Sequence, residues 1–353
     1  MANKHASLDA LFADIADAIR EKTGDTASII ADDFPDVIRD RLRAKPYLTF
    51  SSPSSFTLAV GDATKHWNGA LEYSTDASTW STWDGTTTLS SATSGNDNVL
   101  YLRGTGNTVI AGSKSKYKWV LTGSDISCIG NIENLLDYAT VESGAHPTMA
   151  TGCYEKMFYG CTALIKAPVL PATTLADSCY KSMFNGCTSL NHAPALPATT
   201  LAYSCYNSMF EDCTSLTHAP ALPATTLVES CYGYMFQGCI GLTQAPALPA
   251  TTLAGECYSG MFYGCTALTQ APSLPATTLA YSCYYYMFYG CTKIKLSSTQ
   301  TDEYTQEYRI PTAGTGTTTT DALTDMFTST GGTFTGTPEI NTTYYLSNTN
   351  TIV

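Results

Sequence analysis

Cys179-Tyr-Lys-Ser-Met183-Phe-Asn-Gly186-Cys187-Thr-Ser-Leu190-Asn-His192-Ala-Pro194-Ala-Leu-Pro197-Ala-Thr-Thr-Leu201-Ala-Tyr203-Ser204 is one turn of a repeat that organises the chain. Moving 26 residues in either direction finds the same string again. Twelve of the 13 cysteines fall on this step, as Cys153, Cys179, Cys205, Cys231, Cys257 and Cys283 and as Cys161, Cys187, Cys213, Cys239, Cys265 and Cys291. Met157 through Met287, each followed by Phe, keep the same interval, as do Pro168 through Pro272. Six copies run from Cys153 to about Leu296, the last one truncated.

A unit of this size cannot bury its own apolar face, so neighbouring copies must stack and share one core. Each position then becomes a ladder. The predicted inward ladders are Leu164 to Leu268, the Met-Phe pairs, and Leu175 to Leu279. At a strand spacing of ~4.8 Å, six turns would make a rod roughly 25–30 Å long. Gly-Cys-Thr, as in Gly186-Cys187-Thr188, should close a short helical arm with a left-handed residue. Asp212 replaces that glycine once. The cysteines admit three readings. They fit small buried thiols, since free Cys is among the most buried residue types. Disulfides between turns would demand strict geometry. A metal site would want cysteines two to four apart, whereas these sit as C-x7-C with no histidine in register.

The pattern C-Y-x-x-M-F-x-G-C-T-x-L-x-x-A-P-x-L-P-A-T-T-L resembles the surface-antigen (BspA-like) class of leucine-rich repeats over about 145 residues. That resemblance implies a short strand at L-x-x-A-P-x-L-P and a helical or 3₁₀ arm at C-Y-x-x-M-F. It also implies an extracellular binding or adhesion role without chemistry.

The flanks differ in composition. Residues 1–45 carry 16 charges, 9 acidic and 7 basic. Leu8, Leu11, Phe12, Ile15 and Ile19 follow a helical interval, and Asp33-Phe-Pro35 starts a second short helix ahead of Val37, Ile38 and Leu42. The pair reads as a helical hairpin for attachment or oligomerisation, or for packing on the next domain. The segment SLDALFADIADAIREKTGDTASIIADDFPDVI is similar to the N-terminal segment of phage tail and baseplate-associated proteins. Residues 46–127 hold short apolar runs separated by Gly, Ser, Asn and Asp, which predicts a small antiparallel β-sandwich. Trp67, Trp80, Trp83 and Trp119 either pack its core or form a sugar-stacking platform. Residues 297–353 are read as a C-terminal cap. Within it Met326-Phe327 revives the Met-Phe arm 39 residues after Met287. The predicted class is therefore mixed α/β and multidomain: helical hairpin (1–45), antiparallel β-sandwich (46–127), leucine-rich-repeat-like solenoid of 26-residue units (128–296, copies from 153) and cap (297–353).

Composition narrows the function. The chain has 353 residues, 30 acids against 18 Lys and Arg, a net charge of −12 and no basic block. That disfavours nucleic acid and anionic membranes as partners. No apolar run reaches the ~18 residues of a membrane span, and Asp9, Asp14 and Asp17 stand where a secretion signal would be apolar. No H-E-x-x-H, phosphate-loop or G-x-S-x-G motif occurs, so the expectation is a non-enzymatic protein with no cofactor and no metal. Positions that vary between copies are free of the core constraint and mark where recognition can sit. His192 and His218 occupy one such column, and Tyr203, Tyr263, Tyr281, Tyr285 and Tyr289 enrich others. Amphipathic aromatics suit contact surfaces, although most such positions are simply solvated.

The expected role is a phage tail or baseplate protein, located in the virion, that adheres to the host cell surface. Its expected partners are a host surface protein or glycan, other tail proteins through residues 1–45, and a further copy of itself. The alternative is a bacterial cell-surface leucine-rich-repeat adhesin.

Overall fold

The structure is a computed structural model that describes residues 45–112, 114, 117–311 and 319–353. The chain divides into two compact units, Met1–Lys45 and Pro46–Val353. The helical hairpin expected in residues 1–45 lies outside the described residues.

Nine strands follow from Tyr47 onward: β1 (Leu48–Ser52), β2 (Thr57–Val60), β3 (Ala70–Ser74), β4 (Ser81–Trp83), β5 (Leu89–Ser90), β6 (Ala92–Ser94), β7 (Asp97–Thr105), β8 (Trp119–Thr122) and β9 (Ile126–Ile129). The long strand β7 anchors one sheet, pairing antiparallel with β1, β3 and β6. Strand β1 also pairs with β9, and β3 with β4. A second sheet has the order β5-β2-β8. Residues alternate between faces along a strand, so Leu48 and Phe50 of β1 and Leu58 and Val60 of β2 all point into a common core. Large rings join the two sheets there. Trp119 of β8 lies 5.6 Å from Trp83 of β4 and 6.4 Å from Phe50.

After α1 (Asn134–Glu142) the repeats begin. Their Cys-Tyr-x-x-Met-Phe segments are ribbons of consecutive turns. The N–H groups of Tyr154, Lys156 and Phe158 donate to Cys179, Lys181 and Met183 of the next copy. The alternate N–H groups, of Glu155, Met157 and Tyr159, donate three residues back within their own copy. Every fourth residue is left-handed, as at Ser178 (φ 52°), Ser182 (φ 52°) and Gly186 (φ 72°). Asp212 takes the place of that glycine with the same conformation (φ 57°). A left-handed L-residue costs ~1–2 kcal/mol. It is tolerated here because each such turn is held on both sides by hydrogen bonds.

Two aromatic ladders run through the copies. Tyr154 through Tyr284 and Phe158 through Phe288 stack on their neighbours with centroids 5.6–5.9 Å apart and planes within 12° of parallel. Met157 through Met287 and Leu164 through Leu268 are wholly buried beside them. All 13 cysteines are free and buried. Those of the second series have a specific job: the Cys187 thiol donates to the Phe158 carbonyl at 3.1 Å, and Cys213, Cys239, Cys265 and Cys291 repeat the bond one copy further each time.

These observations overturn the predicted fold class. Among the described residues helix is confined to α1 and the single turn α2 (Thr319–Ala322), and the structure is mostly β in several small sheets. The leucine-rich-repeat-like solenoid, a strand and a helical arm per unit, is not formed. Within the six copies the strands are β10 (Leu164–Lys166) and β11 (Gln270–Ala271), with one more starting at Lys295 where the last copy ends. Elsewhere the L-x-x-A-P-x-L-P segment makes single bridges, such as Lys166 to His192 and His218 to Gln244. Two prolines per unit remove ladder donors, which keeps a continuous strand from forming. The left-handed residue every fourth position likewise prevents a helix.

Both ends of the ladders are covered. Strand β9 pairs parallel with β10, and Trp119 and Ile126 donate to Met157 and Ala163 of the first copy. Beyond the last copy come β12 (Lys295–Ser297), β13 (Tyr304–Arg309), α2, β14 (Gly331–Gly332), β15 (Thr343–Ser347) and β16 (Thr351–Ile352). Their sheet has the order β13-β15-β12-β14. Tyr284, Tyr286, Phe288 and Gly290 donate to Ala322, Thr324, Met326 and Thr328, and Phe327 stacks on Phe288 at 5.4 Å. Met326-Phe327 thus occupies the next rung.

Candidate functional site

Between the core ladders the intervening positions range from buried, as at Asn185 and Ser259, to exposed, as at Tyr281, and their chemistry changes along the molecule. The column of Asn185, Glu211 and Gln237 is a polar chain. Both amides donate to the Glu211 carboxylate, at 2.8 and 3.2 Å. Burial, with Asp212 adding to it, raises the Glu211 carboxyl above its ordinary range. In the next two copies the same column becomes Tyr263 and Tyr289, stacked at 4.8 Å with planes 2° apart. Tyr286 meets Tyr289 edge-on at 5.4 Å and lies 3.9 Å from Tyr285. The last two copies therefore carry a contiguous patch of four tyrosines.

Beside this patch lies a cleft of 320 Å³. Tyr234, Tyr281 and Tyr285 supply its rings, Ser259 and Ser282 its hydroxyls, and Glu256 and Asp321 its carboxylates. Tyr281 is 56% exposed. Tyr234 is left-handed (φ 56°) and its ring crosses Gly260, where an added Cβ would sit 2.3 Å from the ring. Only glycine at 260 leaves room for that ring, which brings the Tyr234 hydroxyl to 3.5 Å from Ser259 Oγ. The Ser230 hydroxyl donates to Glu256 at 3.0 Å and fixes the carboxylate.

Of the residues expected from the sequence, Tyr281 and Tyr285 line this cleft, and Tyr263 and Tyr289 belong to the adjoining patch. Tyr203 is 47% exposed and stands apart, its backbone N–H bonded to Asp177. His192 and His218 are exposed on the proline-rich segments and pair with Asn191 and Thr217. Among the described residues no hydrogen bond or ring contact joins either histidine to the tyrosines. Sequence reading passed over Tyr234, Tyr286, Ser282, Glu256 and Asp321, and noted Ser259 only as a position that varies between copies. The column Lys156, Ser182, Ser208, Tyr234, Gly260, Tyr286 holds the signal: a glycine flanked by tyrosines at the equivalent place one copy either side.

Three of the four tryptophans, Trp67, Trp83 and Trp119, are buried in the β core and offer no platform. Trp80 is capped by the Arg103 guanidinium at 4.0 Å, which also bonds Glu72 at 2.7 Å. A second cavity of 360 Å³ lies near the first copy. Its Glu133 carboxylate, 1% exposed, lies 2.8 Å from His146 Nδ1 and so already has a hydrogen-bond partner. Among the described residues no group of three or more His, Cys, Asp or Glu is placed to hold a metal, and no helix is long and apolar enough to cross a membrane. No family model, curated protein or solved structure matches the chain.

Proposed function

We propose that the protein is a non-enzymatic adhesion component of a phage tail or baseplate that recognises a host cell surface. The observation that carries the proposal is the tyrosine-rich cleft and patch on the last copies. The thiols and core aromatics are spent on internal ladders, whereas these tyrosines are held at the surface by a rigid, hydrogen-bonded scaffold. Rigid amphipathic rings with polar neighbours make contact area at small entropic cost. Residues 1–45 are the proposed link to other tail proteins, on the strength of their resemblance to tail-protein N-termini. The resemblance of the repeats to surface antigens favours, as a second reading, an adhesin of the bacterial cell surface.

Cell binding tests the proposal. Residues 46–353 are one compact unit, so deleting repeats would unfold it, and point variants are the right tool. Purified protein should sediment with cells from a panel of bacteria, and Tyr281→Ala/Tyr285→Ala should weaken that binding at least tenfold. Absence of binding across the panel, or an unchanged variant, would sink it.

A further inference from the structure

The cleft's chemistry specifies its ligand more closely than adhesion requires. Between Lys181 and Lys293 the sequence holds no lysine or arginine, and four acids, Glu211, Asp212, Glu229 and Glu256. Among the described residues lining the cleft none is basic. Two carboxylates therefore face it without a cation of the lining to neutralise them. The faces of tyrosine rings attract cations within ~6 Å. Ser282 adds an independent observation. It is 7% exposed, it lines the cleft, and its hydroxyl has no hydrogen-bond partner among the described residues. The hydroxyl opens onto the cleft, where it can donate to or accept from a guest. A ligand that answers all of this has N–H donors on a positive centre and a flat face with apolar C–H groups.

We infer that the cleft binds a protonated amino sugar, a pyranose bearing a free ammonium group. The ammonium lies between Glu256 and Asp321 and donates to them and to Ser282. The C–H face of the ring packs on Tyr281 or Tyr285. This assignment deepens the adhesion reading and rests on the same site. A neutral sugar could donate hydroxyls to the carboxylates but would bring no positive charge to offset theirs, and a bare alkylammonium would leave the tyrosine faces largely uncovered.

The test is calorimetric titration of the full chain at low salt with three probes: a tetramer of glucosamine, its fully N-acetylated counterpart, and trilysine. The glucosamine tetramer should bind at least tenfold tighter than either of the others. Glu256→Gln/Asp321→Asn should lose at least tenfold, and Ser282→Ala should weaken binding with an unchanged melting temperature. Glu303→Gln, an exposed acid of the C-terminal region outside the cleft, should bind as the parent does. Equal binding of the acetylated tetramer would overturn the ammonium, and equal binding of trilysine would overturn the sugar. Equal loss in Glu303→Gln would reduce the effect to net charge and overturn the site, and no binding by any probe would overturn the whole inference. The adhesion reading is judged separately: cell binding that persists without amine binding rejects only the ligand, and amine binding without cell binding rejects only the adhesion.

Discussion

Phe236 lies between Phe210 and Phe262, at 5.8 and 5.9 Å. Its removal would leave a hole bounded by two rings that belong to ladders fixed elsewhere, so collapse is limited. We expect Phe236→Ala to cost about 3–5 kcal/mol, read by urea denaturation. Tyr203→Ala, at an exposed side chain, should stay within about 0.5 kcal/mol. Gly260 and Gly264 make a sharper comparison. Both are left-handed, but an added Cβ at Gly264 meets nothing closer than 4.0 Å, whereas at Gly260 it meets the Tyr234 ring. Both alanine variants should therefore pay the backbone strain of about 1–2 kcal/mol. Only Gly260→Ala should also displace Tyr234, visible as shifted Tyr234 ring resonances and weakened cleft binding. Residue identities made the buried Met-Phe and Leu ladders legible in the sequence, because spacing reports burial directly. The tyrosine after each first cysteine was missed as a ladder, since an amphipathic ring gives no sign by itself of which way it faces.

At the scale of the element, the repeat's period was readable and its conformation was not. Period depends on side-chain recurrence, whereas turn against helix depends on φ at every fourth residue, and serine, tyrosine, lysine and glutamate occupy those left-handed places alongside glycine. The thiol ladders carry a prediction of their own. Burial pushes the thiols of Cys161, Cys205, Cys231 and Cys283 up to about 12, above the ordinary thiol range. The folded state then holds protons that the unfolded chain releases. Stability is fully present below the unfolded thiol pKa of ~8.5 and is lost as pH rises toward 12. Each such thiol contributes a loss of up to about 1.4 kcal/mol per pH unit in that window. The melting temperature should fall steeply above pH 9, and alanine at two of these cysteines should flatten the slope. Iodoacetamide at pH 8 should label almost no cysteine in the native protein and all 13 after denaturation.

On the scale of the whole molecule, the ladders have a direction. Along the turn face, N–H groups of each copy donate to the following copy, from Tyr154 to Cys179 through to Tyr258 to Cys283. The β-rich region covers the end that presents acceptors, and residues 322–328 supply the carbonyls for the last copy's donors. Removing residues 297–353 would strip the acceptors from Tyr284, Tyr286, Phe288 and Gly290 and uncover the Phe288 ring. A free sheet edge ordinarily recruits a second copy. Here two uncapped ends would bring donors against donors along the turn face, while the complementary acceptor end stays covered in each chain. The truncated protein should therefore melt lower and form polydisperse aggregates through exposed rings. A discrete dimer in size-exclusion chromatography with light scattering would contradict the directional argument, and a stable monomer with unchanged melting would show that the C-terminal rung is dispensable.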